Sequence, residues 1–188
     1  MQRKLSARYH ERMKSLRVTS QCEYDQLHAA FAGGFTHAAP MHSGDIMKNV
    51  GSADEASAYP GAMVMKKFPM SRGIFIGNCE EDDIDFLIKQ GYCVLFTVRL
   101  LGLTPKFIYE NYISVSRCSD IAKNAVINNG RVAAAEYIQL TVTEQDWDII
   151  KQCYDWDKAT FYSCRFYQAD YLPRPFILSI LKLFANKT

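Results

Sequence analysis

The segment GYCVLFTVRLLGL, residues 91–103, constrains the fold more than any other stretch of the chain. Almost every position is apolar or β-branched, the residue types that fit a pleated, packed surface, so the run predicts a strand. Such a strand needs neighbours, and two more are expected after it. In INNGRVAAAEYIQLTVT (127–143), a turn signal at Asn128-Asn129-Gly130 leads into strand-like residues at 132–142. KATFYSCRFYQA (158–169) alternates well enough for a third strand. Between them, Thr143 caps a helix over TEQDWDIIKQCY, with an acid at its third position. The acidic run EEDDID (80–85) reads as a solvated helix start that suits the macrodipole, in preference to a metal cluster.

Upstream, residues 3–17 read as a helix. Residues 19–31 read as a second, with a Ser/Thr start and Tyr24, Leu27 and Phe31 on one stripe. Gly33 and Gly34 break it and allow backbone geometry or close approach denied to other residues. A short strand is expected near 49–54. A helix follows over 59–68, with Pro60 in its first turn and Met63, Val64 and Phe68 buried. The last helix, over LPRPFILSILKLFANKT, is expected to turn Phe176, Ile177, Ile180, Leu181 and Phe184 to the core. Helices and strands in this order give an α+β layout, in one domain or one domain with a small appendage. No internal repeat or low-complexity tract is present.

With 48% apolar and 22% charged residues, the chain has the composition of a packed domain. A net charge of +2 is too small to argue for nucleic acid. Arg3, Lys4, Arg8, Arg12, Lys14 and Arg17 do crowd one end, as a solvated helix face or as a phosphate-contacting arm. The six cysteines have no CxxC spacing and no clustered histidine, which argues against zinc and for free buried thiols in a reducing cytoplasm. There is no signal peptide and no apolar run near eighteen residues, so a cytoplasmic chain with no membrane contact is expected. His10 and His28 fall in helical stretches. His37 and His42 flank the Gly-Gly loop as surface residues. Tyr109, Tyr112, Tyr162, Phe166 and Tyr167 read as core or strand-face residues, with base stacking as the alternative for some.

The stretch VGSADEASAYP (50–60) carries the most chemistry. An acid at a strand end, Asp54, suits Mg²⁺, and the Glu55 carbonyl adds a second oxygen. The turn into the next helix points N–H groups outward, where phosphates bind. Tyr59 would then lie under the sugar those phosphates carry. An ordinary strand–turn–helix junction is the competing reading.

The string D-E-A-S-A-Y-P resembles motif A of family B DNA polymerases, D-x-x-S-L-Y-P. Upstream, F-A-G-G-F-T-H-A resembles the Y-x-G-G motif of the protein-primed members of that family found in phages. KKFPMSRG is similar to the segment after motif A. The stretch from NNGRV to DWD resembles the region between motifs A and B that holds terminal protein region 1. The resemblance runs from about residue 20 onward. It implies a partial polymerase palm, a mixed or antiparallel sheet packed on helices, with a small inserted subdomain. The implied division is an N-terminal helical segment 1–32, a palm part 33–105 with motif A, the insertion 106–170, and a helix 171–188 leading toward the fingers. It also implies roles. Asp54 is the metal-binding catalytic carboxylate, and Glu55 contributes its backbone carbonyl. Ser57 and Ala58 lie beside the triphosphate, and Tyr59 is the gate that selects deoxynucleotides. Phe31, Gly33 and Gly34 contact DNA. The implied partners are primer-template or single-stranded DNA, dNTP, terminal protein and a complementary polymerase fragment. The implied cofactor is Mg²⁺, held only in a complete polymerase site.

The departures from the family matter as much. Neither Y-x-D-T-D (motif C) nor K-x-x-x-N-S-x-Y-G (motif B) occurs in the sequence, and the resemblance covers no exonuclease domain. Glu55, Ala58 and Phe31 replace an apolar residue, a leucine or serine, and a tyrosine. The expectation is a polymerase fragment that is inactive alone and supplies the motif A half-site. The rival is a repurposed remnant that binds DNA or protein without catalysis, as a decoy or inhibitor.

Overall fold

The computed structural model describes residues 2–34, 42, 44–55, 57–108 and 111–186, so His37 and Tyr109 lie outside the described residues. In chain order the elements begin with helices α1 (Gln2–Ser15), α2 (Gln21–Ala30) and α3 (Ala58–Met65). Strands β1 (Lys67–Pro69) and β2 (Ile74–Cys79) precede helix α4 (Glu81–Lys89). Then come β3 (Tyr92–Pro105), β4 (Cys118–Ile121), β5 (Val126–Asn128) and β6 (Arg131–Thr143). Helix α5 (Glu144–Cys153), β7 (Tyr154–Asp155), β8 (Lys158–Tyr171) and α6 (Arg174–Ala185) complete the set. This is the expected α+β class with an antiparallel sheet. The chain divides into two compact units. The first holds Met1–Arg17, Gly44–Arg72 and Tyr167–Thr188, and the second holds Val18–Ser43 and Gly73–Phe166.

The second unit is built on β3 and β6. They pair antiparallel from Leu95↔Thr143 to Leu103↔Ala135. The sequence signals for both strands are met: β3 is the long apolar run, and β6 follows a tight turn in which Asn129 (φ 48) and Gly130 (φ 75) adopt the left-handed backbone. Two consecutive positive φ values match the right-handed twist of the flanking strands, and Asn-Gly tolerates them. β8 neighbours β3 on one side, with β2 on its far edge. Gly102, inside β3, also has positive φ (+66), and a Cβ there would collide with the Asp157 carboxylate. Glycine suits both the left-handed backbone and the close approach of that side chain.

The core of this unit is aromatic. Phe96, Trp147 and Phe161 contact one another edge-on, with ring centroids 5.5–5.8 Å apart. Edge-to-face geometry places the positive ring rim on the negative face of its neighbour. Helices α4 and α5 begin where the sequence places them, each with a capping box: Glu80 with Asp83, and Thr143 with Asp146. Lys151 of α5 donates to Asp85 of α4 at 3.3 Å. Cys79 and Cys164 form a disulfide that ties β2 to β8, which corrects the expectation of six free thiols. The sequence separation of 85 hid the pair, because strand pairing alone brings the two positions together.

Asp146 does more than cap α5. Arg117 grips its carboxylate in a bidentate pair at 3.0 Å on each oxygen, and Tyr112 donates to it at 2.5 Å. The same guanidinium donates to the carbonyls of Ala30 (3.3 Å) and Thr141 (3.4 Å). Burial by itself would raise the Asp146 carboxyl. The hydrogen bonds from Arg117 and Tyr112 outweigh it and hold the group below the usual carboxylate range. Burial, reinforced by Asp146, pushes the Tyr112 phenol up to about 12.

Helix α2 docks differently from its apolar pattern. Tyr24 and Phe31 are exposed, and the buried positions are Gln26 and Ala30. Gln26 donates to the Ser163 carbonyl at 2.6 Å and accepts from Arg165 at 3.3 Å. The inward stripe is thus Gln26 and Ala30, one turn apart, and satisfied polar contacts hold it where apolar burial was expected.

In the first unit, β1 pairs with the last residues of β8 (Lys67↔Tyr171), and Arg12 of α1 pairs with Asp170 at 2.8 Å. Two sequence expectations fail here. The helix over 59–68 stops at Met65, and Phe68 lies in β1, because Pro69 pushes the residue before it to extended backbone. None of the residues of α3 or α6 is buried: Phe176, Leu181 and Phe184 are 40–47% exposed, and Ile177 and Ile180 are half-buried. Among the described residues no helix is long and apolar enough to cross a membrane.

Phe96→Ala removes the central ring and should cost about 3–5 kcal/mol in urea unfolding, whereas Ile74→Ala on exposed β2 should stay within about 1 kcal/mol. A second prediction concerns pH. Asp146 has a depressed folded pKa, so its contribution is present above the ordinary aspartate value and lost as pH falls below about 4. Tyr112 has a raised one, so its contribution is complete below about pH 10 and lost as pH rises toward about 12. The urea midpoint should fall on both sides, and Asp146→Asn should flatten the acid limb and Tyr112→Phe the alkaline limb.

Candidate functional site

The residues singled out in the sequence fall in both units. Asp54, Glu55, Ser57, Ala58 and Tyr59 belong to the first, and Phe31, Gly33 and Gly34 to the second. Each group is described within its own unit.

In the first unit the expected strand at 49–54 does not form. Residues 50–55 are irregular, Asn49 is left-handed (φ 57), and Val50 is 74% exposed. An extended segment becomes a strand only when a neighbour takes its backbone N–H and C=O groups. Asp54 therefore leads into α3 from an open stretch, with both its side chain and that of Glu55 exposed. Ser57 is the N-cap of α3 and holds φ 59, ψ 40, with no side-chain capping bond. A left-handed serine costs about 1–2 kcal/mol relative to ordinary backbone. It turns the chain sharply so that the Ser57 carbonyl accepts the first helical bond, from Gly61 N–H at 2.9 Å. Pro60 sits at the third helical position, where no intrahelical N–H is required. Tyr59, one residue earlier, is 80% exposed.

A cavity of about 200 Å³ lies between α3 and α6, lined by Ser57, Pro60, Val64, Ile180, Leu181 and Phe184 among others. Neither Asp54 nor Tyr59 lines it. A larger cavity of about 470 Å³ in the second unit is edged by Glu136, Asp155 and Asp157 and contains none of the expected site residues.

Among the described residues, no group of three His, Cys, Asp or Glu side chains is placed to hold a metal ion. A two-ion clamp needs more than one carboxylate at the attacking and leaving oxygens. Asp54, with the adjacent and equally exposed Glu55, does not by itself fit a resident magnesium pair.

In the second unit Phe31 follows α2 as its C-cap, its N–H bonded to the His28 carbonyl at 3.2 Å, and its ring is 76% exposed. Gly33 and Gly34 are exposed as well. A Cβ at either position would meet nothing within 4 Å, and neither has a positive φ. Among the described residues, nothing packed against these two positions requires glycine. The hydrogen bond from Arg117 to Ala30 anchors the chain one residue before Phe31. Sequence reasoning missed Arg117: a lone arginine 87 residues away from Ala30 carries no local signal.

Comparison with known proteins bears on the fold and the family. No curated protein sequence matches the chain. Phi29 DNA polymerase in a ternary complex with primer-template DNA and incoming nucleotide is 20% identical, with a TM-score of 0.63, over 90% of this chain. The orthorhombic crystal form of Phi29 DNA polymerase gives a TM-score of 0.55 over the same share, also at 20% identity. The chain spans 28% of the length of those polymerase chains, and at this identity the likeness shows a shared fold. The family model for DNA polymerase type B, organellar and viral, matches residues 3–162, which is most of the sequence. On that match, the chain belongs to the type B DNA polymerases of the organellar and viral kind, as a fragment of the polymerase fold.

Proposed function

We propose that this chain supplies the motif A half of a nucleotidyl-transfer site to a larger, protein-primed polymerase and is inactive alone. The observation that carries the reading is the junction at residues 54–59. There an exposed carboxylate, a left-handed serine and an exposed tyrosine enter α3 in immediate succession. Strain of this kind persists where the surroundings require it, and no cap bond from the Ser57 side chain accounts for it. In the proposed roles, Asp54 is one of the carboxylates of a magnesium site that a second polypeptide completes, with the Glu55 carbonyl beside it. Backbone at Ser57 and Ala58 faces the triphosphate of a dNTP, and the Tyr59 ring crowds the sugar's 2′ position. Phe31, Gly33 and Gly34 contact primer-template or single-stranded DNA. With no described residue within 4 Å of a Cβ at Gly33 or Gly34, these glycines leave room for a sugar-phosphate backbone to come close. Terminal protein is a further partner on this reading. The setting is the cytoplasm of an infected or prophage-bearing cell.

A second reading is a repurposed remnant that binds DNA or protein without catalysis, as a decoy or inhibitor; the lack of a three-residue metal cluster among the described residues fits both readings. It keeps the roles of Phe31, Gly33 and Gly34 and drops those of Asp54 and Tyr59.

Two experiments separate these readings. Mixed with a polypeptide bearing motifs B and C, the chain should extend a primer, and Asp54→Asn should reduce the rate at least about a thousandfold, as expected for loss of a charge-stabilising group. Extension that survives Asp54→Asn, or none with a folded complement, removes the half-site reading. On either reading the chain should bind short primer-template, with affinity falling as salt rises. Gly34→Val should leave the urea midpoint unchanged and weaken that binding about tenfold or more, a loss of at least about 1.4 kcal/mol. Salt-independent binding, or full affinity in Gly34→Val, removes the DNA-contact role.

A further inference from the structure

We infer that Arg117 is a positioning residue for the Phe31–Gly34 segment, fixing the direction in which that segment leaves α2. The inference deepens the DNA-contact reading of this segment and rests on it for its functional meaning.

The last carbonyls of a helix have no intrahelical partner, and whatever binds them sets where the chain goes next. At the end of α2 the Ala30 carbonyl is bound by the Arg117 guanidinium at 3.3 Å. Arg117 does not choose its own position. Asp146 holds it bidentately at 3.0 Å and is itself fixed by Tyr112 at 2.5 Å and by the Thr143 backbone N–H at 3.2 Å. The pair is buried, with side-chain exposures of 11% and 8%. A guanidinium is a rigid planar fork, so two bonds to one carboxylate define the direction of its remaining donors.

Gln26 provides the other support. It sits one turn before Ala30 on the same face of α2 and is bonded to Ser163 and Arg165 of β8. With both Gln26 and Ala30 tied down, α2 can neither roll nor slide. The exposed Phe31 ring and the open backbone of Gly33 and Gly34 are then presented in one orientation. An apolar stripe alone would leave that orientation loose, because apolar contact is non-directional. A segment that must meet a nucleic-acid backbone gains affinity from being set in advance, since less ordering remains to be done on binding.

Arg117→Lys is the informative variant. It keeps the positive charge beside Asp146 and removes the fork that reaches Ala30, so the fold survives where Arg117→Met would leave a buried carboxylate unpaired. Two measurements apply to the same protein. Hydrogen exchange read over residues 28–34 should speed up about tenfold or more in Arg117→Lys, while β3 and β6 keep their protection. Unchanged exchange there overturns the inference whether or not the chain binds DNA. In low-salt binding to a primer-template duplex, Arg117→Lys should weaken affinity about tenfold in the wild-type background and cause no further loss in Gly34→Val, because residues that act through one segment are not additive. Equal affinity of Arg117→Lys and wild type, or full additivity with Gly34→Val, overturns the inference. If the wild-type chain binds no DNA, the DNA-contact reading fails, and the exchange measurement alone decides whether Arg117 positions the segment.

Discussion

The buried ion pair between Arg117 and Asp146 is the constraint on which the second unit turns. One carboxylate caps α5, accepts the Tyr112 phenol and orients a guanidinium that in turn binds the ends of α2 and β6. Pairs of this kind contribute little net stability, because desolvation offsets most of the attraction. What they supply is direction. Apolar packing of Phe96, Trp147 and Phe161 decides that the helices lie on the sheet, and the ion pair decides at which angle and register three chain segments meet.

The two groups of expected site residues differ in how the chain supports them. Phe31, Gly33 and Gly34 follow a helix anchored by buried polar contacts. Asp54 and Tyr59 flank a left-handed serine in an exposed junction whose helix, α3, buries none of its residues. Helix α6 carries phenylalanine, leucine and isoleucine on several faces and likewise buries none. A helix that is apolar on more than one side is normally interior. Among the described residues, this unit therefore leaves two apolar helices without a buried side chain.

Much of the fold was legible in sequence, for local reasons. The capping box at Thr143–Asp146, the Asn129-Gly130 turn and the apolar run of β3 each encode geometry within a few residues of themselves, so their signals survive without any knowledge of neighbours. The string at Asp54–Tyr59 resembles a family motif on sequence alone, while the strand expected before it does not form. Apart from the end of α3, where Pro69 acts locally, the misread elements depend on what lies across from them. The stripe of Tyr24, Leu27 and Phe31 has helical spacing, yet the helix turns Gln26 inward because Ser163 and Arg165 wait there. The segment 49–54 had strand-like residues and no neighbour to pair with among the described strands.

The sequence by itself determined where β3, β6, α4 and α5 begin, and which family the chain resembles, because caps, turns and short motifs act through covalent neighbours. Tertiary structure alone decided which face of α2 is buried, that Cys79 meets Cys164, and that Arg117 reaches Ala30. Each of these contacts joins residues more than eighty positions apart, and only the pairing of β2, β3, β6 and β8 brings them within bonding distance.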